Sequence, residues 1–173
     1  MYRTILMDPP WLERGAGKIK RGADRHYPVM SVRKILPAIL TSGFWNPHPE
    51  GAVLWCWATN NYLKDALWLI DALGFRYITN AAWVKTGRVG LGQWLRGRHE
   101  LLLMATAGKR PTTARTDRRD LPGVIEAPRG RHSEKPDAAY RLIEARCHGP
   151  RVELFARGRR PGWDAWGNEV SDG

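Results

Sequence analysis

Cysteine is scarce in this chain, and the few cysteines present have no metal-binding spacing. Cys56 and Cys147 form no C-x-x-C motif, so the sequence suggests neither a disulfide framework nor a zinc site. Cys147 is followed by His148, but no second pair of ligands accompanies them, and we expect no bound metal. Long apolar runs are also missing, since no stretch approaches the roughly 18 apolar residues that span a bilayer.

The N-terminal segment lacks the apolar region and the cleavage site of a signal peptide. With no membrane span either, we expect a cytoplasmic protein that does not act at a membrane. The 173 residues, 43% of them hydrophobic, are enough to bury a core, which excludes a disordered basic tail. No internal repeat and no second boundary is visible, so we expect one domain over residues 1–173.

Acidic residues are in the minority, with 17 against 28 basic ones and a net charge of +11. Residues 85–135 hold 12 of the basic and only 5 of the acidic side chains, and a second basic run covers residues 18–25. This pattern favours a polyanionic partner, above all nucleic acid. An anionic membrane surface is the weaker interpretation, because no basic amphipathic helix is visible. The sequence leaves the oligomeric state open.

Strand and helix patterns alternate along the chain. We predict strands at 3–7, 52–57, 76–84, 100–106 and 152–156, and helices at 31–40, from Asn60 or Asn61 to Gly74, and at about 136–147. Basic loops are predicted at 85–98 and 107–132, with a further loop at 12–29. Alternating elements indicate an α/β fold with a largely parallel sheet, in which ligands bind at the carboxyl ends of the strands. Asp8, residues 57–59 and residues 157–168 follow three of these ends.

The segment Asp8-Pro9-Pro10-Trp11 is the most specific signal in the sequence. Two successive prolines hold the chain extended directly after a buried strand, and neither proline has an N–H. The Asp8 carboxylate and the Pro9 carbonyl are therefore two acceptors in a fixed relation, beside the aromatic face of Trp11. This arrangement suits a planar base with an exocyclic amine, which donates both hydrogens while its ring stacks on the tryptophan.

The chain resembles the MT-A family of N6-adenine methyltransferases, whose active-site motif is Asp-Pro-Pro-Trp. The resemblance continues in the family's order over nearly the whole chain, through LWCWAT (54–59), LGF (73–75), WVKT (83–86), GQW (92–94), HE (99–100), HSEKP (132–136), VELFAR (152–157) and GWDAWGN (162–168). It implies a Rossmann-like methyltransferase sheet and S-adenosylmethionine as the cofactor.

The order of motifs implies a permuted arrangement. Only seven residues precede Asp8, and neither residues 15–17 nor residues 90–92 complete a G-x-G-x-x-G motif. The cofactor motif therefore follows the catalytic motif, as in the permuted order of this family. The strand ending near Arg157 is the candidate.

The resemblance implies which residues hold S-adenosylmethionine. Lys135 would pair with the methionine carboxylate near Ser133, and Asp8 would touch the cofactor's amino group. The remaining cofactor contacts would come from the Leu154 backbone, Arg157, Asn168 and Glu169. Here Glu169 replaces an amide of the family pattern, and Arg159-Arg160 replaces a polar pair that some relatives have.

The same resemblance assigns the target base to Asp8, Pro9, Pro10 and Trp11, with further contacts from Tyr27, Trp57, Trp94 and Glu100. We expect the basic loops at 12–26 and 107–132 to flank this acceptor site and to contact phosphates without reading bases. The residues predicted for those contacts are Lys18, Lys20, Arg21, Arg115, Arg118 and Arg119.

The predicted function is methyl transfer to the N6 amine of adenine in nucleic acid, by a compact prokaryotic or phage-type enzyme. We expect DNA to be preferred over RNA, and the target adenine to be single-stranded or flipped out of a duplex. Two alternatives are a non-catalytic nucleic-acid-binding partner with this fold and a methyltransferase of another amine. The intact Asp8 and proline pair argue against the first, and the charge distribution argues against the second.

Overall fold

The computed structural model describes residues 1–11, 30–87, 94–130 and 134–170. Its strands and helices, in chain order, are β1 (Thr4–Met7), α1 (Val32–Thr41), β2 (Ala52–Ala58), α2 (Leu63–Ala72), β3 (Arg76–Thr86), β4 (His99–Ala107), β5 (Val124–Pro128), α3 (Asp137–Arg146), β6 (Arg151–Leu154) and β7 (Asp164–Trp166). The predicted α/β class is confirmed. None of the helices within these ranges is long and apolar enough to cross a membrane.

The seven strands form one sheet in the order β5-β3-β4-β2-β1-β6-β7. Most neighbours run parallel, as predicted, but β4 is antiparallel to both β2 and β3. Because β4 runs against the others, its first residues lie at the edge where the parallel strands end. The inversion therefore brings Glu100 to the edge that carries Asp8.

Two strands were not predicted, and one is shorter than expected. The loop predicted over 107–132 contains a short 3-10 helix, Pro111–Ala114, and the strand β5. Both missed strands are short and lie at the sheet's outer edges, where little alternation is required. The last predicted strand ends at Leu154 because Phe155 has a φ of 62°, a left-handed conformation that cannot continue a strand.

The second helix begins later than its asparagines predict. Asn60–Tyr62 form a turn of 3-10 helix, and α2 starts at Leu63 without a side-chain cap. Its predicted stop is confirmed, since Gly74 follows the helix with a φ of 80°, which glycine adopts without steric cost. The first helix continues through Pro37.

The sheet is buried on both faces. Alternate strand residues point to opposite faces, so Ile5 and Met7 pack toward the side that holds α1 and α2, while Leu6 packs toward the side that holds α3. All four residues of β1 and all seven of β2 are buried. The central strands are therefore rigid supports for whatever follows their carboxyl ends.

The edge of the sheet at which the parallel strands begin lies far from the edge at which they end. Ala52 at the start of β2 pairs with Ala107 at the end of β4, and Ala58 at the end of β2 pairs with Leu101 near the start of β4. Seven residues of strand separate these edges by about 20 Å. Asp8 follows the carboxyl end of β1, whereas the segment after β4 leaves from the opposite edge.

Candidate active site

Asp8 lies directly after β1, where the chain is held by backbone hydrogen bonds. The Asp8 N–H donates to the carbonyl of Leu154 at 3.3 Å, which ties the motif to the end of β6. The Trp11 N–H donates to the Pro9 carbonyl at 2.8 Å, and that of Met30 donates to the Pro10 carbonyl at 2.7 Å. A carbonyl oxygen has two lone pairs, so Pro9 keeps one acceptor position. The predicted fixed relation between two acceptors is consistent with this turn.

Five charged side chains of alternating sign form a continuous chain at this edge: Arg157, Asp8, Lys135, Glu100 and Lys85. Lys135 Nζ lies 2.8 Å from Asp8 Oδ2 and 3.6 Å from Glu100 Oε2. Arg157 Nη2 lies 3.6 Å from the same Asp8 oxygen, and Lys85 Nζ donates to Glu100 Oε1. The four side chains other than Arg157 are largely buried, with none above 14% exposed. Segments far apart in the sequence therefore supply one buried ionic cluster.

The cluster keeps Lys135 and Glu100 charged despite their burial. Burial on its own would lower the pKa of Lys135, but the carboxylates of Asp8 and Glu100 outweigh it and raise that pKa above its ordinary value. Burial would likewise raise the pKa of Glu100, but Lys135 and Lys85 outweigh it and lower that pKa. At neutral pH Glu100 is therefore an ionised carboxylate beside the ammonium group of Lys135.

Trp11 forms part of the wall of the site. Its ring stacks on Tyr62 with centroids 5.5 Å apart and planes 10° from parallel, and its Nε1 donates to the Trp57 carbonyl at 3.1 Å. The residue is only 5% exposed. Tyr62 thus occupies one stacking face of Trp11, and the predicted role of this tryptophan in holding the base stays a prediction. Its observed contacts fix the turn that carries Asp8.

The segment after β6 is folded against the segment after β7. The Ala156 N–H donates to the Trp166 carbonyl at 2.9 Å. A Cβ at Gly167 would lie 2.6 Å from the Ala156 nitrogen and closer still to its carbonyl oxygen, so only glycine fits there. This contact brings residues 154–157 near residues 167–169, the two segments predicted to supply the remaining cofactor contacts. Arg157 also reaches Asp8, while Asn168 and Glu169 are exposed.

The residues at this edge fit the groups of S-adenosylmethionine. Two buried polar atoms at the end of β2, Trp57 Nε1 and Thr59 Oγ1, have no hydrogen-bond partner within the described residues. The ammonium of Lys135 lies 5.4 Å from the centroid of the Trp57 ring, which places these donors beside the ionic cluster. Lys135 and Arg157 suit a carboxylate, and Asp8 suits an ammonium, so a zwitterionic amino acid finds both of its counter-charges here. Ser133 lies outside the described residues.

Only some of the residues predicted to contact the acceptor are among the described residues. Glu100 belongs to the ionic cluster, and Trp94 lies in the segment between β3 and β4 with 96% of its surface exposed. Tyr27, Lys18, Lys20 and Arg21 lie outside the described residues.

The expected position of the second basic loop is wrong in part. The structure places Arg115, Arg118 and Arg119 at the opposite edge from Asp8, because the chain crosses the sheet along β4 before it reaches them. The loop returns toward the Asp8 edge only along β5, which runs parallel to β3. These arginines therefore do not flank the acceptor site.

Two charged residues of the site have no predicted role. Lys85 pairs with Glu100 and lies 4.9 Å from the centroid of the Trp83 ring. A lysine directly after a predicted strand at the ligand-binding edge is the signal that identifies it. Glu153 is buried in β6, where it accepts a 2.8 Å hydrogen bond from the hydroxyl of Tyr140. Burial, with a smaller contribution from Asp8, raises the pKa of Glu153 to about 7.

The comparisons with known proteins agree with this geometry. The model of the MT-A70 family matches residues 2–169. The chain belongs to the MT-A70 family. The predicted resemblance to a methyltransferase family is thereby confirmed, and so is the expected Rossmann-like class of the fold.

Three relatives align with nearly the whole chain. The type II methyltransferase M.MunI from a Mycoplasma species is 27% identical over 194 residues, which cover 99% of this chain and 78% of that protein. The N(6)-adenine-specific methyltransferase METTL4 from mouse is 27% identical over 194 residues, and its human counterpart is 25% identical over 191 residues. This chain spans 37% of the length of each METTL4 protein.

Proposed function

We propose that this chain transfers a methyl group from S-adenosylmethionine to the N6 amine of adenine in nucleic acid, with DNA preferred over RNA. The Asp8 carboxylate carries the proposal, since it is largely buried, paired with Lys135 at 2.8 Å and followed directly by Pro9 and Pro10. The predicted class, an adenine methyltransferase, agrees with the names of the METTL4 relatives. M.MunI, the type II methyltransferase, supports the choice of DNA, because this chain covers the largest share of its length.

Lys135 and Arg157 would hold the methionine carboxylate of the cofactor. The Lys135 ammonium has three N–H groups, of which Asp8 accepts one at 2.8 Å. Glu100 lies farther away, at 3.6 Å, so a donor remains for a bound carboxylate. When bound, S-adenosylmethionine supplies a methyl group on a positively charged sulfur.

The acceptor amine would be held by the second Asp8 oxygen and by the Pro9 carbonyl. The contacts of Lys135 and Arg157 both go to Oδ2, so we assign Oδ1 to one amine hydrogen and the Pro9 oxygen to the other. Two fixed acceptors orient the nitrogen lone pair, and orientation is a major part of catalysis for such a transfer. As the C–N bond forms, the bond between the methyl carbon and sulfur would break to leave a neutral thioether, and the nitrogen would gain the positive charge, which the Asp8 carboxylate stabilises. The proton that the nitrogen then loses goes to Asp8 or to water.

Trp94 and Glu100 would lie on the acceptor side. Trp94 is 96% exposed, and an accessible indole ring suits stacking on an unpaired base. Glu100 is oriented by two ammonium groups and presents its carboxylate beside Lys135. Reaching N6 in either nucleic acid requires an adenine that is unpaired or flipped out.

A non-catalytic binding partner is the competing interpretation. It would have no need to hold a carboxylate, two prolines and five alternating charges at one edge, since burying charges is costly unless they are used or well paired. The intact cluster therefore favours the enzyme.

The test measures methylation directly. The protein is incubated with S-adenosylmethionine carrying a deuterated methyl group and with DNA or RNA of matched sequence, single- or double-stranded. The nucleic acid is then digested to nucleosides for mass spectrometry. We expect labelled N6-methyl-2′-deoxyadenosine to form faster than labelled N6-methyladenosine. Label in RNA alone would overturn the DNA preference, and binding without label on any adenine would support the non-catalytic interpretation.

A further inference from the structure

A concave, arginine-rich surface lies at the sheet edge opposite the candidate active site. We call it the arginine pocket. It encloses about 580 Å³ and is lined by Thr112, Arg115, Thr116, Asp117, Arg118, Arg119, Leu121 and Arg146. Four guanidinium groups converge here, and guanidinium groups match phosphate oxygens in geometry and charge.

The position of the pocket separates it from the chemistry at Asp8. Its floor is the end of α3 and the segment after β4, which an isolated bridge between Arg115 and Cys147 joins. The His148 N–H donates to the Ala114 carbonyl at 3.0 Å, which closes the same junction. Both segments lie at the edge where β2 begins, about 20 Å from the edge where it ends.

Two of the four arginines build the pocket. Arg146 Nη1 donates to the carbonyls of Thr116 at 2.9 Å and Arg118 at 2.6 Å, while the Thr116 N–H donates back to the Arg146 carbonyl at 2.8 Å. Arg118 forms a two-pronged ion pair with Asp120 at 2.7 and 2.8 Å. The loop therefore has a defined shape that its own side chains maintain.

The side chains of the other two arginines have no partner among the described residues. The guanidinium groups of Arg115, which is half-buried, and of Arg119, which is exposed, form no hydrogen bond or ion pair with any described residue. Holding a half-buried guanidinium beside three others without an acceptor is costly unless an anion joins it. Asp117 also lines the pocket and offsets part of the positive charge, yet the guanidinium groups outnumber the carboxylates.

We propose that the arginine pocket binds backbone phosphates of a nucleic-acid strand at a second site, distal to the active site. The choice of a nucleic acid as the polyanion rests on the proposed function. The pocket is larger than a single phosphate, which favours an extended polyanion. The arginine pocket and the Asp8 edge are about 20 Å apart, which corresponds to roughly six base pairs along a duplex. One nucleic acid therefore contacts both only if it is longer than this and follows the protein surface from one edge to the other. The pocket thus tethers substrate without reading its sequence.

The test compares two double variants that each remove two positive charges. Arg115→Gln with Arg119→Gln alters the pocket, and Arg33→Gln with Lys34→Gln alters exposed positions on α1 as the matched control. The Kd of a fluorescent 40-base-pair DNA is measured at several salt concentrations. The pocket variant should bind at least about tenfold more weakly than the control at 0.1 M salt, with a salt slope lower by about two.

Two further measurements keep the test specific. The variant Arg115→Lys with Arg119→Lys keeps both charges and should recover most of the affinity, while thermal unfolding reports whether each variant is folded. Equal Kd values and equal salt slopes for the pocket and control variants, both folded, would overturn the proposal. Binding is measured without methyl transfer, so a wild-type protein that binds DNA through the pocket but methylates nothing would refute the proposed function alone.

Discussion

Replacing Lys135 by methionine removes the central cation of the buried ionic cluster and keeps an unbranched side chain only one atom shorter. The ammonium of Lys135 lies between two carboxylates, 2.8 Å from Asp8 and 3.6 Å from Glu100. Lys135→Met leaves both carboxylates buried and brings no other cation closer. We therefore expect two separable losses, one in the free energy of unfolding and one in the affinity for the cofactor.

The expected loss of stability follows from the contacts that remain. Breaking a buried ion pair costs about 3–5 kcal/mol when one charge is left uncompensated. Here Arg157 still lies 3.6 Å from Asp8, and Lys85 still donates to Glu100, so we expect the lower end, about 3 kcal/mol. Loss of a charge-assisted contact to the methionine carboxylate should weaken S-adenosylmethionine binding by about 1–3 kcal/mol, or roughly 5- to 150-fold.

The pH dependence identifies the cause of that loss. The lowered pKa of Glu100 means that its stabilising contribution is present above its unfolded pKa, about 4.3, and disappears as the pH falls through the folded value. The raised pKa of Lys135 means that its contribution persists below about 10.4 and disappears at still higher pH. The wild-type and Lys135→Met proteins should therefore differ most between roughly pH 5 and pH 10, and should converge in acid.

Urea unfolding at pH 7.5 and pH 4, with calorimetric titration of the cofactor, measures both losses. Lys64→Met on the exposed side of α2 is the matched control and should change the free energy of unfolding by less than about 0.5 kcal/mol. If Lys135→Met were as stable as this control at pH 7.5, or equally destabilised at both pH values, the ionic interpretation of the cluster would be refuted.

Two further predictions concern neighbouring segments. Glu153→Gln removes a carboxyl whose pKa is raised to about 7, so its cost to stability builds up from about pH 4.3, its unfolded pKa, and is complete above pH 7; the variant should gain up to about 3 kcal/mol at pH 8.5 and little at pH 4.5. Urea unfolding at the two pH values checks this, with exposed Glu126→Gln unaffected as the control. Gly167→Ala should weaken cofactor binding at least tenfold, because its Cβ would overlap the Ala156 backbone, whereas Gly158→Ala, which meets nothing within 4 Å, should leave calorimetric affinity unchanged.

The sequence predicts the central strands and their ligand-binding edge because burial leaves a clear pattern there. β1 and β2 are continuous apolar runs, and Asp8 follows the first of them, so its place at the carboxyl edge follows from the general rule for parallel sheets. The predicted approach of Lys135 to the cofactor motif came from the family resemblance. Spacing alone does not bring a residue before α3 to within 2.8 Å of Asp8.

The direction of β4 is what sequence reasoning lacked. An apolar strand carries no mark of whether it runs parallel or antiparallel, since only its neighbours decide. Placing β4 parallel would put Glu100 at the wrong edge and the arginines after it beside Asp8. In the structure β4 is antiparallel, so Glu100 lies at the Asp8 edge and Arg115 lies about 20 Å away at the opposite edge. In the same way, nothing in the Asp-Pro-Pro-Trp motif shows that Tyr62 stacks on the Trp11 ring.

The central claim is that the Asp8 carboxylate holds the adenine amine during methyl transfer. The most direct measurement is the yield of labelled N6-methyladenine, by mass spectrometry of digested DNA, for the wild type and for Asp8→Ala at equal concentrations of folded protein. Thermal unfolding and DNA binding by the variant serve as controls for its fold and its substrate contact. We predict labelled N6-methyladenine from the wild type and a loss of at least about a thousandfold in Asp8→Ala, since orientation and charge stabilisation both depend on this side chain. A folded Asp8→Ala protein that methylates adenine at a rate near the wild type's would contradict the claim.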